Sequence, residues 1–308
     1  MLPKIKVLGI GGSGSNTVFR MAKSRARGVQ LIAINTDAQA LHFCNVPGKV
    51  LIGKNVTRGL GAGMDANQGK KAAEESKEEV LELLKGADLV FITSGMGGGT
   101  GSGAAPVIAE AARAMGILTV VVVTTPFSFE GEQRKKVATK ALQQLKGKAD
   151  SLLIISNDNL LKIIDEKTTV SNAFEMCDDI LKQAVQSITD LVTAPGVITI
   201  DFNAIASVMK NSGQALFGMG RSMGKNRALE AATKAINSPL LDFSMKGSKG
   251  ILFNVSGNDV TLPEIQQVSK IITEHVDPRA EVIFGTVKDN SLKKGEIKVT
   301  VIATKFLE

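Results

Sequence analysis

Two glycine-rich segments contain the residue types and the spacing that bind phosphate. Residues 9–16 read Gly-Ile-Gly-Gly-Ser-Gly-Ser-Asn after an apolar run, and residues 95–103 hold six glycines in nine positions. Glycine lets the backbone approach an anion closely, and a helix that begins there offers unpaired N–H groups and the positive end of its dipole. Thr100 and Ser102 add hydroxyls that can contact phosphate oxygens or a hydrated Mg²⁺. Together the segments predict a site for the di- or triphosphate of a nucleotide.

The first segment alone also fits a different class of protein. Gly9, Gly11 and Gly14 match the Gly-x-Gly-x-x-Gly fingerprint of dinucleotide enzymes, and Asp37 lies about where a ribose-binding acid belongs. The second segment favours a nucleotide held by two loops at neighbouring strand ends of one sheet. The Gly-x-x-x-x-Gly-Lys-Ser/Thr motif of a standard P-loop does not occur in the sequence. A dinucleotide oxidoreductase stays open as an alternative function that rests only on Gly9, Gly11, Gly14 and Asp37.

The elements that must position these segments alternate along the first half of the chain. Short β-branched runs predict strands at residues 5–10, 31–34, 50–52, 89–93, 118–123 and 152–155. Apolar residues at three- and four-residue spacing predict helices at residues 16–24, 69–84, 104–115 and 132–145. Such alternation is typical of βαβ units. We expect an α/β fold: a doubly wound, mostly parallel sheet with helices on both faces.

A long helical pattern at residues 170–192 ends at Pro195-Gly196 and separates this domain from the rest. Beyond it, helices are predicted at residues 204–209, 227–236 and 263–273, and strands at 250–255, 281–287 and 297–303. This pattern predicts a second, smaller α+β domain with a mostly hairpin-connected sheet. The predicted organisation is a nucleotide domain at residues 1–169, a connecting helix at 170–195 and a C-terminal domain at 196–308.

Composition excludes several functions. No run approaches the roughly 18 apolar residues of a membrane helix, and the first residues show neither a long apolar segment nor a small-residue cleavage site. We therefore expect a cytoplasmic protein without direct membrane insertion. Cys44 and Cys177 have no His partner at metal-ligand spacing, which predicts buried, reduced thiols and no metal-binding residues. His42 and His275 fall in no catalytic motif. The net charge of +7 is scattered and Tyr and Trp are absent, so no specific nucleic-acid partner is predicted.

The glycine segment at residues 95–103 resembles the signature of the tubulin/FtsZ family. Further segments are similar to successive nucleotide loops of bacterial-type FtsZ, at residues 11–16, 35–37, 57–63, 125–131 and 157–161. Residues 236–241 and 256–262 resemble segments of its second domain, so the resemblance extends over almost the whole chain. It implies a GTP-binding cytoskeletal protein that assembles head to tail with copies of itself into filaments, in cell division. Division or membrane-anchoring proteins are further partners that the resemblance implies without identifying them.

The resemblance also implies roles for individual residues. The glycine residues Gly98, Gly99 and Gly101 are expected to leave their backbone amides unobstructed. By the resemblance, phosphate contacts would come from Gly11, Gly12, Ser13, Gly98, Gly99, Thr100 and Gly101. The loop with Gly61 and Gly63 would lie near the γ-phosphate, and Asn35 and Asp37 would order the waters of Mg²⁺. Ribose and phosphate would contact Glu130 and Arg134, and the guanine would contact Asn16, Asn157, Asp179 and Phe174.

Ordinary structural roles compete with three of these assignments. Asp37 could cap a turn, Glu130 and Arg134 could form an i,i+4 surface pair, and Phe174 could pack in the core. These alternatives stay open from the sequence alone. The predicted cofactors are GTP or GDP, with Mg²⁺ bound mainly through the nucleotide and water.

The catalytic loop departs from the family pattern Asn-x-Asp-Phe-x-Asp. Asp201 supplies the first acid, but Thr199 replaces the Asn and Ala204 replaces the second acid. The resemblance implies a Mg²⁺-dependent GTPase in which Asp201 completes the site of the next subunit. The missing acid predicts slower hydrolysis. The alternative is a structural or regulatory paralogue that binds GTP and polymerises with little or no hydrolysis.

Overall fold

The chain divides into two compact units, Pro3–Gln186 and Ser187–Glu308, and the division falls inside its longest helix. The computed structural model describes residues 3–24, 28–162, 164–165, 167–193, 200–241, 243–289 and 292–306. The predicted end of the central helix at Pro195-Gly196 and the predicted start of the second domain lie outside the described residues.

The first unit is built on a parallel sheet with the strand order β3-β2-β1-β4-β5-β6. Its strands are β1 (Ile5–Ile10), β2 (Val29–Asn35), β3 (Gly48–Leu51), β4 (Leu89–Gly95), β5 (Leu118–Thr125) and β6 (Ser151–Ser156). Its helices are α1 (Gly11–Lys23), α2 (Ala38–Phe43), α3 (Lys54–Thr57), α4 (Ala66–Glu75), α5 (Lys77–Leu84), α6 (Gly99–Ala114), α7 (Glu132–Leu145), α8 (Asn157–Leu160) and α9 (Val170–Thr193), with a 3₁₀ turn at Ser128–Glu130.

Helices cover both faces of this sheet. Successive residues of a strand point to opposite faces, so neighbouring residues of β1 show which helix lies on each side. Leu8 and Ile10 of β1 lie in one core cluster with Ile108 of α6. Gly9, between them, faces α1: a Cβ there would lie 2.1 Å from the carbonyl oxygen of Gly14. The predicted doubly wound α/β class is therefore confirmed.

The second unit contains β7 (Gly213–Met223), β8 (Gly250–Gly257), β9 (Glu281–Val287) and β10 (Glu296–Thr304), with α10 (Phe202–Met209), α11 (Arg227–Ile236) and α12 (Leu262–Thr273). Its strand order is β7-β10-β8-β9. Strand β10 pairs antiparallel with β7 and with β8, and β8 pairs parallel with β9. The expected hairpin connections are wrong, because α12 carries the chain across between β8 and β9 and so makes them parallel.

Several element boundaries also differ from the sequence prediction. Helices α1 and α6 begin at Gly11 and Gly99, five residues earlier than predicted in each case. The predicted helix at residues 69–84 is two helices, because the backbone is irregular at Ser76 and its hydroxyl accepts a hydrogen bond from Gly53 N at 3.0 Å. Strand β7 was not predicted.

Candidate functional site

The two glycine segments become the first turns of two helices at the same edge of the sheet. Ile10 of β1 pairs with Ser94 of β4 in parallel register, so α1 and α6 both start beyond the carboxyl ends of adjacent strands. The residues before the helices, Ile10 and Gly98, have no side-chain oxygen that could cap them. The first N–H groups of a helix have no intrahelical acceptor. Most of these amides are therefore available to an anion.

One of the expected free amides is not available. The N–H of Gly99 donates to the carbonyl oxygen of Gly63 at 2.7 Å. Gly99 is also packed tightly, since a Cβ there would lie 2.6 Å from the carbonyl oxygen of Ala62. The expectation that Gly99 leaves its amide unobstructed is wrong, because that amide holds the loop at residues 57–65 against the start of α6.

A cavity of about 430 Å³ opens between the two helix starts. This volume is in the range of small-ligand sites. The sequence predicted thirteen of the residues that line it: Gly11, Gly12, Ser13, Asn16, Gly63, Gly98, Gly99, Thr100, Gly101, Glu130, Arg134, Asn157 and Phe174. Gly95, Met96 and Pro126 also line it and lie in segments predicted to bind the nucleotide, although no individual role was predicted for them; Thr124, Cys177 and Asp178 were missed.

The glycines around the cavity serve two different purposes. At Gly12, Gly63 and Gly98 no described atom beyond the adjacent residues and the local helix backbone lies within 4 Å of the position that a Cβ would take, so these residues leave the cavity open. At Gly14 and Gly101 there is no such space: a Cβ would lie 2.4 Å from Thr93 O and 2.2 Å from Ser94 Oγ, respectively. The first set admits a ligand, and the second lets the helices approach the strands closely.

Asn157 brings an unpaired polar atom to the cavity wall. The residue begins α8 directly after β6 and is only 4% exposed. Its Oδ1 is buried and has no hydrogen-bond partner among the described residues. A buried carbonyl oxygen without a partner costs about 1 to 3 kcal/mol, so such atoms usually serve a ligand or a water. The orphaned oxygen fits the hydrogen-bond donors of a purine base or a sugar.

Glu130 and Arg134 form the i,i+4 pair that the sequence allowed, and they form it at the cavity. Arg134 Nη1 donates to Glu130 Oε2 at 2.8 Å. The other carboxylate oxygen of Glu130 accepts from Phe127 N at 2.9 Å, which fixes the nearly buried carboxylate. Arg134 is half-exposed. Both readings of this pair, surface ion pair and ligand contact, are compatible with this geometry.

Helix α9 presents Asp178, not Asp179, to the cavity. Ser13 Oγ donates to Asp178 Oδ1 at 3.3 Å, and Arg20 Nε lies 3.6 Å from Oδ2. Burial raises the pKa of Asp178 to about 6, although Arg20 and Ser13 act in the opposite direction. Asp179 lies one residue further around the helix and pairs with Lys182 at 3.0 Å. The predicted residue is therefore one position away from the acid that lines the cavity.

The ring of Phe174 lines the cavity and packs against a neighbouring aromatic pair. Phe174 is 39% exposed and meets Phe127 edge-on with ring centroids 5.4 Å apart. Phe127 stacks on Phe129 at 4.9 Å. Core packing is thus not the whole role of Phe174, since a large part of its ring stays accessible beside the cavity.

The two cysteines are buried free thiols, as predicted. Cys177 lines the cavity, and burial raises the pKa of its thiol to about 12, so it is neutral at physiological pH. Among the described residues no cluster of three or more His, Cys, Asp or Glu side chains is arranged to hold a metal ion.

Asn35, Asp37 and Gly61 do not line the cavity but build the loops beside it. Asn35 is buried, and its Oδ1 accepts from Thr36 N at 2.9 Å. Asp37 caps α2 by accepting from Ala40 N at 2.9 Å, which is the turn-capping alternative. Gly61 has φ +84° and donates its N–H to Thr36 O at 3.2 Å. All three support the loops through hydrogen bonds to backbone groups, Asn35 and Asp37 with their side chains and Gly61 with its N–H.

Asp201 is an exposed residue of the second unit and the N-cap of α10. Its two carboxylate oxygens accept from the backbone N and the side-chain Nδ2 of Asn203, each at 3.4 Å. Ala204 follows in the first turn of α10 and is half-buried. Thr199 lies outside the described residues.

No helix in the described part of the chain is both long and apolar enough to cross a membrane.

Comparison with known proteins identifies the family of the chain. The profile of the GTPase domain of the Tubulin/FtsZ family matches residues 4–165, and that of the C-terminal domain of the FtsZ family matches residues 213–307. An empty FtsZ dimer from M. jannaschii is 42% identical with a TM-score of 0.95, over 99% of this chain and 88% of that chain.

Two more distant structures share the fold. A GTPγS-bound protofilament of CetZ2 from Haloferax volcanii is 20% identical, with a TM-score of 0.81 over 97% of this chain and 92% of that chain. A GDP-bound monomer of CetZ1 from the same organism is 22% identical, with a TM-score of 0.80 over 99% and 95%. The matched domains and the identity to FtsZ together show that the chain belongs to the tubulin/FtsZ family of GTPases.

Proposed function

We propose that this chain binds GTP in the cavity between α1 and α6, assembles head to tail with copies of itself, and hydrolyses GTP at the junctions. The observation that carries the proposal is the convergence of two uncapped helix starts on one cavity, whose wall holds Asn157 Oδ1 without a hydrogen-bond partner in the described part of the chain. Helix starts favour phosphate, and a buried orphaned acceptor requires a donor. A guanine nucleotide supplies both.

The phosphates would be held by backbone rather than by lysine. Amides of Gly11, Gly12, Ser13, Thr100 and Gly101 begin the two helices, and Gly98 leaves the approach open. Each helix start favours negative charge by up to about 1 to 2 kcal/mol. Mg²⁺ would enter with the nucleotide, bound mainly to phosphate oxygens and water, because the described residues contain no cluster of three or more His, Cys, Asp or Glu side chains that could hold it.

We assign recognition of the base to Asp178 together with Asn16 and Asn157. A carboxylate accepts from both N1–H and the exocyclic amine of guanine, whereas adenine offers no donor at N1. We propose Asp178 in this role in place of Asp179, because Asp178 lines the cavity. Phe174 would lie against the base with its accessible ring.

Hydrolysis would need a second copy of the chain, which supplies Asp201. An exposed carboxylate at a helix start is available to a neighbouring molecule, and a head-to-tail interface repeats without closing. Asp201 would orient the attacking water, and the nucleotide-bound Mg²⁺ would stabilise the charge on the phosphates. We propose that the polymer acts in cell division. We also propose the domain limits predicted from the sequence: the nucleotide domain ends at residue 169, the connecting helix spans residues 170–195, and the C-terminal domain begins at residue 196.

A second candidate is binding and assembly with little hydrolysis. Ala204 favours it, because the first turn of α10 then has no carboxylate beyond its cap Asp201. Loss of one proton-transferring or water-positioning group commonly slows catalysis about 10²- to 10⁴-fold.

Sedimentation and phosphate release with GTP, GDP, ATP and a non-hydrolysable GTP analogue separate these candidates. The proposal predicts pelleting that depends on GTP, and slow phosphate release that D201A abolishes. A matched control is E274A, which removes an exposed carboxylate of the same unit and is expected to release phosphate like the unmodified chain. Pelleting without turnover supports the second candidate, and binding of NAD without GTP would contradict both.

Mixing two variants tests whether Asp201 acts across the junction. G98D places a carboxylate in the open part of the cavity and is expected to repel the phosphates, while its own Asp201 stays intact. Mixed with D201A, it should restore phosphate release above the level of either variant alone. No restoration, although the two variants co-sediment, would contradict catalysis in trans.

A further inference from the structure

Thr36 connects the phosphate end of the cavity to the loop at residues 57–61. It is fully buried, and it does not line the cavity. Its hydroxyl lies 2.6 Å from the hydroxyl of Thr100, the second residue of α6, which does line the cavity. This is a short hydrogen bond between two buried side chains that lie 64 residues apart in sequence.

The backbone of Thr36 carries the other half of the connection. Its carbonyl oxygen accepts from Gly61 N at 3.2 Å. It also lies 3.2 Å from Thr57 Oγ1, whose one proton is shared between Thr36 O and Gly53 O, the latter at 3.1 Å. Ala38 N donates to Gly59 O at 3.0 Å alongside. The loop so held carries Leu60, which is 85% exposed. One buried residue therefore contacts both the cavity floor and the base of an exposed loop.

The direction of the Thr36–Thr100 hydrogen bond depends on what occupies the cavity. A hydroxyl has one proton to donate and two lone pairs to accept with. If Thr100 donates its proton to an anion in the cavity, it must accept from Thr36, and the two hydroxyls then form a chain that points at the anion. Hydrogen bonds in such a chain polarise and strengthen each other.

We propose that Thr36 is a positioning residue that orients the Thr100 hydroxyl toward the nucleotide phosphates and transmits their presence to the loop at residues 57–61. This inference rests on the proposed GTP binding. It concerns only the phosphate end of the ligand, so it predicts an effect on nucleotides that is absent for the nucleoside.

Equilibrium binding of GTP, GDP and guanosine to the full chain tests it. T36V keeps the shape of the side chain and removes the hydroxyl, and it should weaken GTP and GDP about ten-fold while leaving guanosine unchanged. T36S should restore nucleotide binding. T119V is the matched control, because Thr119 is an equally buried threonine near the start of β5 whose hydroxyl bonds to Ile117 O.

A double-mutant cycle tests whether Thr36 affects nucleotide binding through Thr100. If Thr36 acts through Thr100, T36V adds little to T100V, since the two changes remove the same interaction. Hydrogen exchange supplies a second readout: the Gly61 amide should gain protection on GTP addition in the unmodified chain and less in T36V. If T36V does not fold, T36C is measured in the same way, because a thiol is a weak donor of similar size.

The outcomes are distinct. Equal weakening of GTP and guanosine in T36V, or an equal effect in T119V, would overturn the role of Thr36. So would full additivity of T36V and T100V. If the unmodified chain binds no GTP at all, the proposed function itself fails, and that result is seen before any variant is compared.

Discussion

The hydroxyl of Ser13 donates to Oδ1 of Asp178 across 3.3 Å and so connects the first turn of α1 to α9. Arg20 lies on the other side of the same carboxylate, 3.6 Å from Oδ2. Even with these two partners, burial raises the pKa of Asp178 from its usual 3.8 to about 6. Ionisation of Asp178, which guanine recognition would use, is therefore less favourable in the folded, ligand-free protein than in the unfolded chain, although the ionised form still predominates at neutral pH.

Replacing this carboxylate should stabilise the ligand-free chain at neutral and higher pH. Because the pKa of Asp178 is raised on folding, the folded state binds more protons between about pH 4 and 6, and the free energy of unfolding falls as the pH rises through that window. D178N is expected to be about 2 to 3 kcal/mol more stable than the unmodified chain at pH 8, and equally stable near pH 4. Denaturant unfolding across this pH range measures the difference.

The same variant should bind GTP more weakly, since the amide cannot accept both guanine donors. D179N is the control, because Asp179 is half-exposed and pairs with Lys182 at the surface. We expect it to leave both stability and binding close to those of the unmodified chain. A D178N chain that is less stable at pH 8 than at pH 4, relative to the unmodified chain, would contradict this account.

Substitutions at glycines that face open space and at glycines that are tightly packed should affect protein stability and nucleotide binding differently. In G12A the new methyl group projects into open space in the first turn of a helix, so stability is kept or raised by up to about 1 kcal/mol while nucleotide affinity falls. In G101A the methyl group would meet Ser94 Oγ, and overpacking is expected to cost about 1 to 3 kcal/mol. Thermal unfolding and nucleotide titration of both variants give the comparison. Equal loss of stability in the two would disprove the division.

Arg227 forms ion pairs with two acidic residues of the second unit, Asp259 and Glu264. Its guanidinium donates to Glu264 at 2.6 Å and 3.1 Å and to Asp259 at 2.8 Å. These bonds lower the pKa of Glu264 to about 2, so its stabilising effect is complete above its unfolded pKa of about 4.5 and is lost as the pH falls through about 2. E264Q should cost about 2 to 3 kcal/mol at pH 7 and progressively less below pH 4.

The more exposed partner provides the control for that measurement. D259N changes a side chain that is half-exposed and screened by solvent, so it should cost less than E264Q at every pH. Denaturant unfolding at pH 7 and pH 3 compares the two. A loss in E264Q that does not shrink toward low pH would rule out ionisation of Glu264 as its cause.

Periodicity and β-branching predicted most of the regular elements. Strands Ile5–Ile10 and Glu281–Val287 and helices Glu132–Leu145 and Arg227–Ile236 have the predicted bounds. Strand β7 was not predicted, because its glycines interrupt the apolar pattern that indicates a strand. Gly218 and Gly220 leave room for α11, since a Cβ at either would lie about 2 Å from a carbonyl oxygen of Ala235 or Ala231. Propensity alone gives no sign of such a tertiary contact.

The sequence predicted the types of residue in the candidate site more accurately than it predicted their positions. Glycine propensity placed the starts of α1 and α6 too late, whereas close packing allows those glycines inside the helices. Asp178 and Asp179 are neighbours in sequence but about 100° apart around a helix, and only the contacts of α9 decide which one meets the cavity. The hydrogen bond from Gly99 N to Gly63 O depends on a loop whose path the sequence does not specify.

The central claim is that the cavity between α1 and α6 is a guanine nucleotide site, and a calorimetric titration tests it most directly. The full chain with Mg²⁺ is titrated with GTP and, separately, with ATP. The account predicts one GTP bound per chain and ATP bound at least about ten-fold more weakly, because adenine cannot donate at N1 to Asp178. No binding of GTP, or equal affinity for the two nucleotides, would contradict it.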